Sequence, residues 1–337
     1  MKSITKILTG VFLTGILTAV QAQQAPQFTQ FMQSGNLLNP AFTGISRNAD
    51  VKSGYRKQWM GLEGSPSTFF ASGSVMLGIE EPVLSLPVRG RMASKFRTEK
   101  PQLKDTALKH CVGGYLLVDK TGPTSLNRAG FTYAANMPVN DKFRASFGAA
   151  LVFSQSSLNR NELNVSPSRD PGISSGINSV VRPDVQIGAM LYSDRMFFGY
   201  SGNYLFRNKL FTLSDANEVF ARHQVHHYLF AGYRHELNAD WVFVPSLMFR
   251  YVQGAPMAAD LNLRFNYKSK TWFGLSLRPG DSVSGFAGFH FNDRLNLAYS
   301  YDFNYSKLNS FNSGSHEIIL GWRLVKAGEK LFKPGLW

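Results

Sequence analysis

From His223 to Leu324 hydrophobic and polar positions alternate with period two, in runs about as long as one membrane-crossing strand. In Asp293–Phe303, Leu295, Leu297, Tyr299, Tyr301 and Phe303 fall on one face, and Asn296, Ala298, Ser300 and Asp302 on the other. Leu261, Leu263, Phe265 and Tyr267 repeat the pattern against Asn262, Arg264 and Asn266. Ile318, Leu320, Trp322 and Leu324 repeat it against Glu317, Gly321 and Arg323. Aromatics opposite small and charged residues suit a strand with one face to lipid and one to a polar lumen. A closed sheet then satisfies every backbone group.

The same alternation, read with turn chemistry, predicts fourteen antiparallel strands and hence an all-β transmembrane barrel. They fall near 49–59, 66–78, 109–118, 126–137, 142–155, 183–192 and 195–206, then 223–236, 240–251, 257–267, 270–278, 282–291, 293–303 and 314–324. Connections after even strands are mostly tight: Val139-Asn140-Asp141, Ser193-Asp194, Asn238-Ala239, Ser269 and Asn292. Connections after odd strands include long polar ones at 156–182, 207–222 and 304–313. Short turns mark the periplasmic end and long loops the outer end.

One connection departs from this rule. Residues 79–108 follow an even strand, yet form a long basic segment with Arg89, Arg91, Lys95, Arg97, Lys100 and Lys104. It reads either as a solvated insertion or as a docking loop for a periplasmic partner. Residues 23–48 precede the barrel, with Phe28, Phe31, Met32 and Leu38 on a short helix stopped by Asn39-Pro40. That segment is expected to plug the lumen or to lie in the periplasm. The tail 325–337 adds Lys326, Lys330 and Lys333 beside Phe332 and Trp337, a further candidate docking element.

The N-terminus adds an address. Lys2 and Lys6 precede an apolar run from Ile7 to Val20, and Val20-Gln21-Ala22 is a small-x-small cleavage site, so residues 1–22 read as a secretory signal peptide. No cysteine follows that site, which argues against a lipid anchor. The formal charge of +14 becomes +12 without Lys2 and Lys6. Basic residues do not run in dense clusters interleaved with aromatics, so no nucleic acid is expected as a partner. Anionic outer-membrane lipid and acidic proteins fit better, and 13% aromatic residues suit interfacial girdles. Cys111 is the only cysteine, and its strand setting reads as a small apolar filler.

Candidate chemistry is sparse. His223, His226 and His227, with His235 nearby, cannot all converge from one strand, because His226 points away from the other two. No paired carboxylate or thiol completes a zinc set. No GxSxG elbow is present. Ser72-Gly73-Ser74 is only superficially similar to one, and Gly314-Ser315-His316 reads as the turn into the last strand. Gly113-Gly114 lies in a strand and not at a phosphate loop. Neither a cofactor nor enzymatic activity is expected. Inward Arg250, Arg264 and Arg323 would sit among Glu317, Asp302 and tyrosines, either as ion-pair ladders or as the lining of an anion-selective channel. Arg278-Pro279-Gly280-Asp281 reads as a turn in which Asp281 caps backbone donors.

Several segments resemble the PorP/SprF family of Bacteroidetes outer-membrane proteins. They are PQFTQFMQSGNLLNPAFTG near the mature N-terminus, GYRKQWMGLEGSPSTF at 54–69 and DKTGPTS at 119–125. The blocks GYRHEL, VPSLMFRYVQGAP, WFGLSLRPGDSVSGFAGF, YSYDF and GSHEIILGW follow in the same order. The 79–108 insertion and the tail after Leu324 depart from the pattern. The resemblance implies an outer-membrane barrel of type IX secretion and gliding motility. It implies coupling to periplasmic machinery, or help in export or surface attachment of a secreted protein. Its implied partners are type IX secretion components, with a peptidoglycan-associated periplasmic protein and a secreted surface protein as candidates. A passive or gated channel is the alternative. Within the motif, Tyr55, Arg56, Gln58 and Trp59 close the first strand, Trp59 fits an outer girdle, and Gly61, Gly64 and Pro66 shape the first outer loop.

Overall fold

An amphipathic meander in lipid satisfies its edge N–H and C=O groups only when its first and last strands pair. The structure, a computed structural model, describes residues 25–46, 49–77, 108–159, 162, 179–212, 219–292, 294–306 and 312–324. The first wall strands are β1 (Ala49–Lys57), β2 (Ser67–Met76), β3 (Lys109–Thr121), β4 (Thr124–Pro138), β5 (Arg144–Leu158), β6 (Ser179–Tyr192) and β7 (Met196–Asn203). A separate hairpin, β8 (Lys209–Thr212) with β9 (Val219–Arg222), follows. The wall resumes with β10 (His226–Tyr233), β11 (His235–Glu236), β12 (Trp241–Val252) and β13 (Ala258–Tyr267). It ends with β14 (Thr271–Arg278), β15 (Ser282–His290), β16 (Leu295–Asn304) and β17 (Ser315–Leu324).

Wall neighbours pair antiparallel, β1 pairs with β17, and β10 bridges β7 and β12. β11 continues β10 on the same partner, so the two count as one and the barrel closes with fourteen strands. The outer face is apolar, with Phe131 67% and Leu275 59% exposed. The lumen face buries Ser300, Asp302 and Glu317. Trp241, Phe243, Phe265, Tyr267 and Phe273 stack into a band on the outer face. Histidine–tyrosine pairs mark the rims: His110 Nδ1 lies 2.6 Å from Tyr133 Oη, and His316 Nδ1 2.7 Å from Tyr299 Oη. Each offers an apolar body to lipid and a polar tip to the interface.

The tight turns share one end with Ala49 and Leu324. Asn140, Ser193, Asn238 and Asn292 each use a side-chain oxygen to accept two backbone N–H groups of the returning chain. Lys268 and Ser269, at φ 46° and 53°, form the mirror-image turn that matches strand twist. By the short-turn rule this end is periplasmic.

The differences from expectation are local. β3 and β4 run on to a two-residue turn at Gly122-Pro123, so DKTGPTS is mostly strand. The 207–222 connection carries the β8–β9 hairpin, and β10 starts at His226, not at 223. The first segment has helix only at Gly35–Leu38 (α1), followed by a 3-10 turn at Pro40–Phe42. Trp59 is half-buried beyond β1 at φ 50°, with its indole Nε1 shut away from solvent. That is unlike a girdle tryptophan, whose N–H reaches the head groups. Asp281 receives the Arg278 guanidinium and the Asn304 amide, so it binds side chains and not backbone donors. Residues 1–24, nearly all of the 79–108 connection and the 325–337 tail lie outside the described residues. So do Arg89, Arg91, Lys95, Arg97, Lys100, Lys104, Lys326, Lys330 and Lys333.

Candidate functional site

The lumen is filled by residues 25–46. Gln27 and Thr29 meet wall residues near the outer ends of β12, β16 and β1, and Ser46 reaches Asp50 at the periplasmic start of β1. The segment is therefore a plug spanning the lumen from its outer half to its periplasmic rim. Two apolar zones hold it. Phe31, Met32, Leu38 and Phe42 pack with Phe197, Tyr228, Phe230 and Met248. Phe28 and Leu37 pack with Phe70, Tyr115 and Leu117. Phe28 and Phe70 meet edge-to-face at 5.2 Å.

Between these zones the wall comes close to the plug backbone. A Cβ on Gly188 would stand 1.9 Å from Asn39 Oδ1, and one on Gly148 2.4 Å from Ala41 N, so only glycine admits the plug there. Wall side chains then satisfy its backbone. The Ser201 hydroxyl donates to Leu38 O at 2.7 Å, and the Ser146 hydroxyl to Ala41 O at 2.8 Å. The Asn39 amide donates to Tyr200 O at 3.2 Å. At the base, Asn136 donates both to Thr43 O and to Cys111 Sγ, and Cys111 is fully buried.

A charged latch sits at the upper end. Arg56 Nη2 lies 2.5 Å from Asp302 Oδ2, and Arg56 Nη1 3.2 Å from Glu317 Oε2. All three residues are at most 2% exposed. One cation faces two carboxylates, and the plug supplies the remaining donors. Thr29 N and Gln30 N donate to the two Glu317 oxygens, at 2.9 and 3.1 Å. The Thr29 hydroxyl donates to Asp302 at 2.7 Å and accepts from Arg56 at 2.9 Å. Buried charge is tolerated when paired and hydrogen-bonded in this way. A second cluster adjoins it. Asp260 receives Arg278 Nε at 2.5 Å. Arg250 Nη2 stands 3.1 Å from its other oxygen, an ion pair without hydrogen-bond alignment.

The residues expected in the lumen are thus split. Asp302 and Glu317 join Arg56, not Arg250, Arg264 or Arg323. Arg250 pairs with Asp260, while Arg264 lies over the Trp272 ring at 4.9 Å near the periplasmic end. Of the motif residues, Tyr55 faces outward, Arg56 is the latch cation, and Gln58 N donates to Pro66 O. His226 faces the lumen and His227 faces out to Tyr200. Loop residue His223 stacks on Tyr204 at 4.4 Å, and burial pushes its imidazole down to about 4. Among the described residues no group of three or more His, Cys, Asp or Glu is placed to hold a metal. Sequence reasoning missed the role of Arg56, although its parity with Asp50, Lys52 and Gly54 on β1 already turns it inward. Asp260 and Arg278 carry the same parity signal on β13 and β14, whereas Thr29, in the non-strand plug, carried none.

Closed wall, apolar belt and filled lumen define an integral outer-membrane β-barrel with an internal plug. The family described as type IX secretion system membrane protein PorP/SprF matches residues 20–322, and the chain belongs to it. Family and fold are those of a secretion barrel and not of an enzyme class. A comparison with curated proteins finds no match. Similar solved structures include the CymD monoaromatic hydrocarbon channel, 14% identical over 88% of this chain and 93% of that one, with a TM-score of 0.47. A Pseudomonas aeruginosa FadL homologue is 12% identical over 86% and 92%, with a TM-score of 0.47. The Pseudomonas putida toluene transporter TodX is 9% identical over 90% and 95%, with a TM-score of 0.45.

Proposed function

We propose that the protein is a plugged scaffold of type IX secretion, working through its surfaces and not as an open pore. It couples the outer membrane to periplasmic machinery and assists export or surface attachment of a secreted protein. The observation that supports this reading is the plug itself. Residues 25–46 occupy the lumen along its length, and the Arg56–Asp302–Glu317 latch closes on Thr29. Transfer of a polypeptide through such a lumen would first have to break a buried, hydrogen-bonded charge cluster. The basic residues of 79–108 and 325–337 are the docking elements in this proposal, with a peptidoglycan-associated protein as the periplasmic partner. The alternative, a passive or gated channel, is favoured by one feature: the polar contacts that fix the plug's position are ones that water can replace.

Affinity purification from the native outer membrane tests the proposal. Secretion components or a surface protein should co-purify, and deletion of residues 84–104 should abolish the periplasmic partner while leaving barrel insertion intact. A solitary barrel that conducts steadily in planar bilayers would instead establish the channel.

A further inference from the structure

On the outer wall, directly behind the latch, a second pair of polar residues faces lipid. Arg56 with Glu317 and Lys57 with His316 are consecutive cross-strand partners of β1 and β17, so the first pair turns into the lumen and the second away from it. Lys57 and His316 therefore stand side by side on the lipid face, at the outer end of the seam that closes the barrel. Directly opposed Cβ atoms in such a pair lie about 4.5–5.5 Å apart. Both side chains are held in place. Lys57 Nζ donates to Ser65 O at 2.8 Å. His316 Nδ1 meets Tyr299 Oη at 2.7 Å, and its ring packs edge-on against Tyr301 at 5.1 Å. Neither makes a further hydrogen bond or ion pair, so the Lys57 ammonium and His316 Nε2 keep bonding capacity to spare.

No carboxylate on this face offsets them. Asp50, Asp302 and Glu317 are the carboxylates of β1, β2, β16 and β17, and all three are buried on the lumen side. Glu63, exposed in the 58–66 connection, makes no ion pair with a described residue. One step down the wall, Phe69, Tyr55, Ile318 and Tyr299 form an exposed apolar row across the same four strands. His227, at the same end of the barrel, has only Gly202 and Tyr251 opposite it and so lacks a cation. An ammonium at the membrane interface above an apolar face, with no carboxylate beside it, suits an anionic lipid: the head-group phosphate meets the cation and the acyl chains cover the rings. We propose that Lys57 and His316 form a lipid-phosphate site, taking an outer-leaflet lipid of the lipopolysaccharide kind. Because the latch shares the register of this pair, a phosphate bridging Lys57 and His316 braces the seam that aligns Arg56 with Glu317, and so favours the seated plug. The site belongs to the wall alone and does not depend on the part the barrel plays in secretion.

The test titrates monophosphoryl lipid A into the full mature barrel in neutral detergent and follows bound lipid by native mass spectrometry. One lipid should bind saturably ahead of any others. Lys57→Gln and His316→Gln should each weaken that binding roughly tenfold, the worth of one charge-assisted contact. Either variant suffices where the other fails to fold, as judged by heat-shifted mobility on gels. Lys57→Arg should keep the binding, and His227→Gln should leave it unchanged. The dephosphorylated lipid should bind at least tenfold more weakly. Inorganic phosphate should bind far more weakly than the lipid; if it binds as tightly, the apolar row contributes nothing and the lipid site is refuted. Saturating lipid A should also slow maleimide labelling of the buried Cys111 relative to its dephosphorylated form, and equal rates would sink the brace. Equal binding of the two lipid forms, or unaltered binding by the folded variants, overturns the proposal.

Discussion

Arg56→Gln should unseat the plug, and the chain carries its own reporter. In the wild type, Arg56 pairs with both Asp302 and Glu317, at 2.5 and 3.2 Å, with all three side chains buried. Glutamine leaves two carboxylates facing each other across Thr29. Breaking a buried pair from one side costs about 3–5 kcal/mol. If the plug docks as one unit, its withdrawn population should rise roughly 10²-fold or more, since each 1.4 kcal/mol is about tenfold. Cys111 is the chain's one cysteine, and it is fully buried beside Asn136, which also holds Thr43 of the plug. Its maleimide labelling should accelerate by the same factor. Adding Glu317→Gln should restore part of the protection by removing one uncompensated charge. Thr29→Ala leaves the wall untouched and should give a smaller acceleration, from about 1–3 kcal/mol of lost hydrogen bonding. Wild-type labelling rates in Arg56→Gln, with the barrel still folded by its heat-shifted mobility on gels, would refute the latch.

Gly188→Val places side-chain carbon where Asn39 Oδ1 now stands, and overpacking of this kind costs about 1–3 kcal/mol; Cys111 should label faster without change in the wall's amide protection. His223 gives a pH prediction of definite sign. Its imidazole is held down to about 4 by burial and by Arg128, against 6.5 when free. The opened segment therefore binds the proton first, so stability of the region where His223 packs on Tyr204 is full above pH 6.5 and falls toward pH 4, by up to ~3 kcal/mol. Hydrogen exchange over that region should lose protection between pH 7 and 5, and His223→Gln should flatten the profile.

The wall was legible in the sequence because both its determinants are local. Alternation at Leu295–Phe303 sets which face meets lipid, and side-chain oxygens such as those of Asn238 and Asn292 close the turns within three residues. The latch was not legible, because it depends on register between distant strands. Arg56 meets Glu317 because β1 pairs with β17 residue for residue, and Asp302 enters from β16. Trp59 and Asp281 were misplaced for a related reason. Their partners, Ser315 for the Trp59 backbone and Asn304 for the Asp281 carboxylate, arrive from other hairpins. The β8–β9 hairpin was hidden within a polar stretch lacking clean alternation.

The latch also accounts for something that apolar packing alone does not. Phe28, Phe31 and Phe42 meet aromatic walls formed by Phe70 and Phe230, and such contacts are non-directional. A plug held by them alone could slide along the lumen with little loss. The Glu317 carboxylate instead requires two consecutive N–H groups, and Asp302 with Arg56 requires a hydroxyl between them. Phe28 and Gln30, the neighbours of Thr29, lack that hydroxyl, so a one-residue slip leaves buried charge unsatisfied. Gly148 and Gly188 impose the same register lower down, since they admit only the backbone that Asn39 and Ala41 present. Apolar contact supplies the affinity of the plug, and the charges and glycines supply its position. Thr29→Val is the discriminating variant: it keeps the volume and removes the hydroxyl, so it should leave the plug bound but let it shift, which cross-linking between plug and wall positions will detect as more than one register.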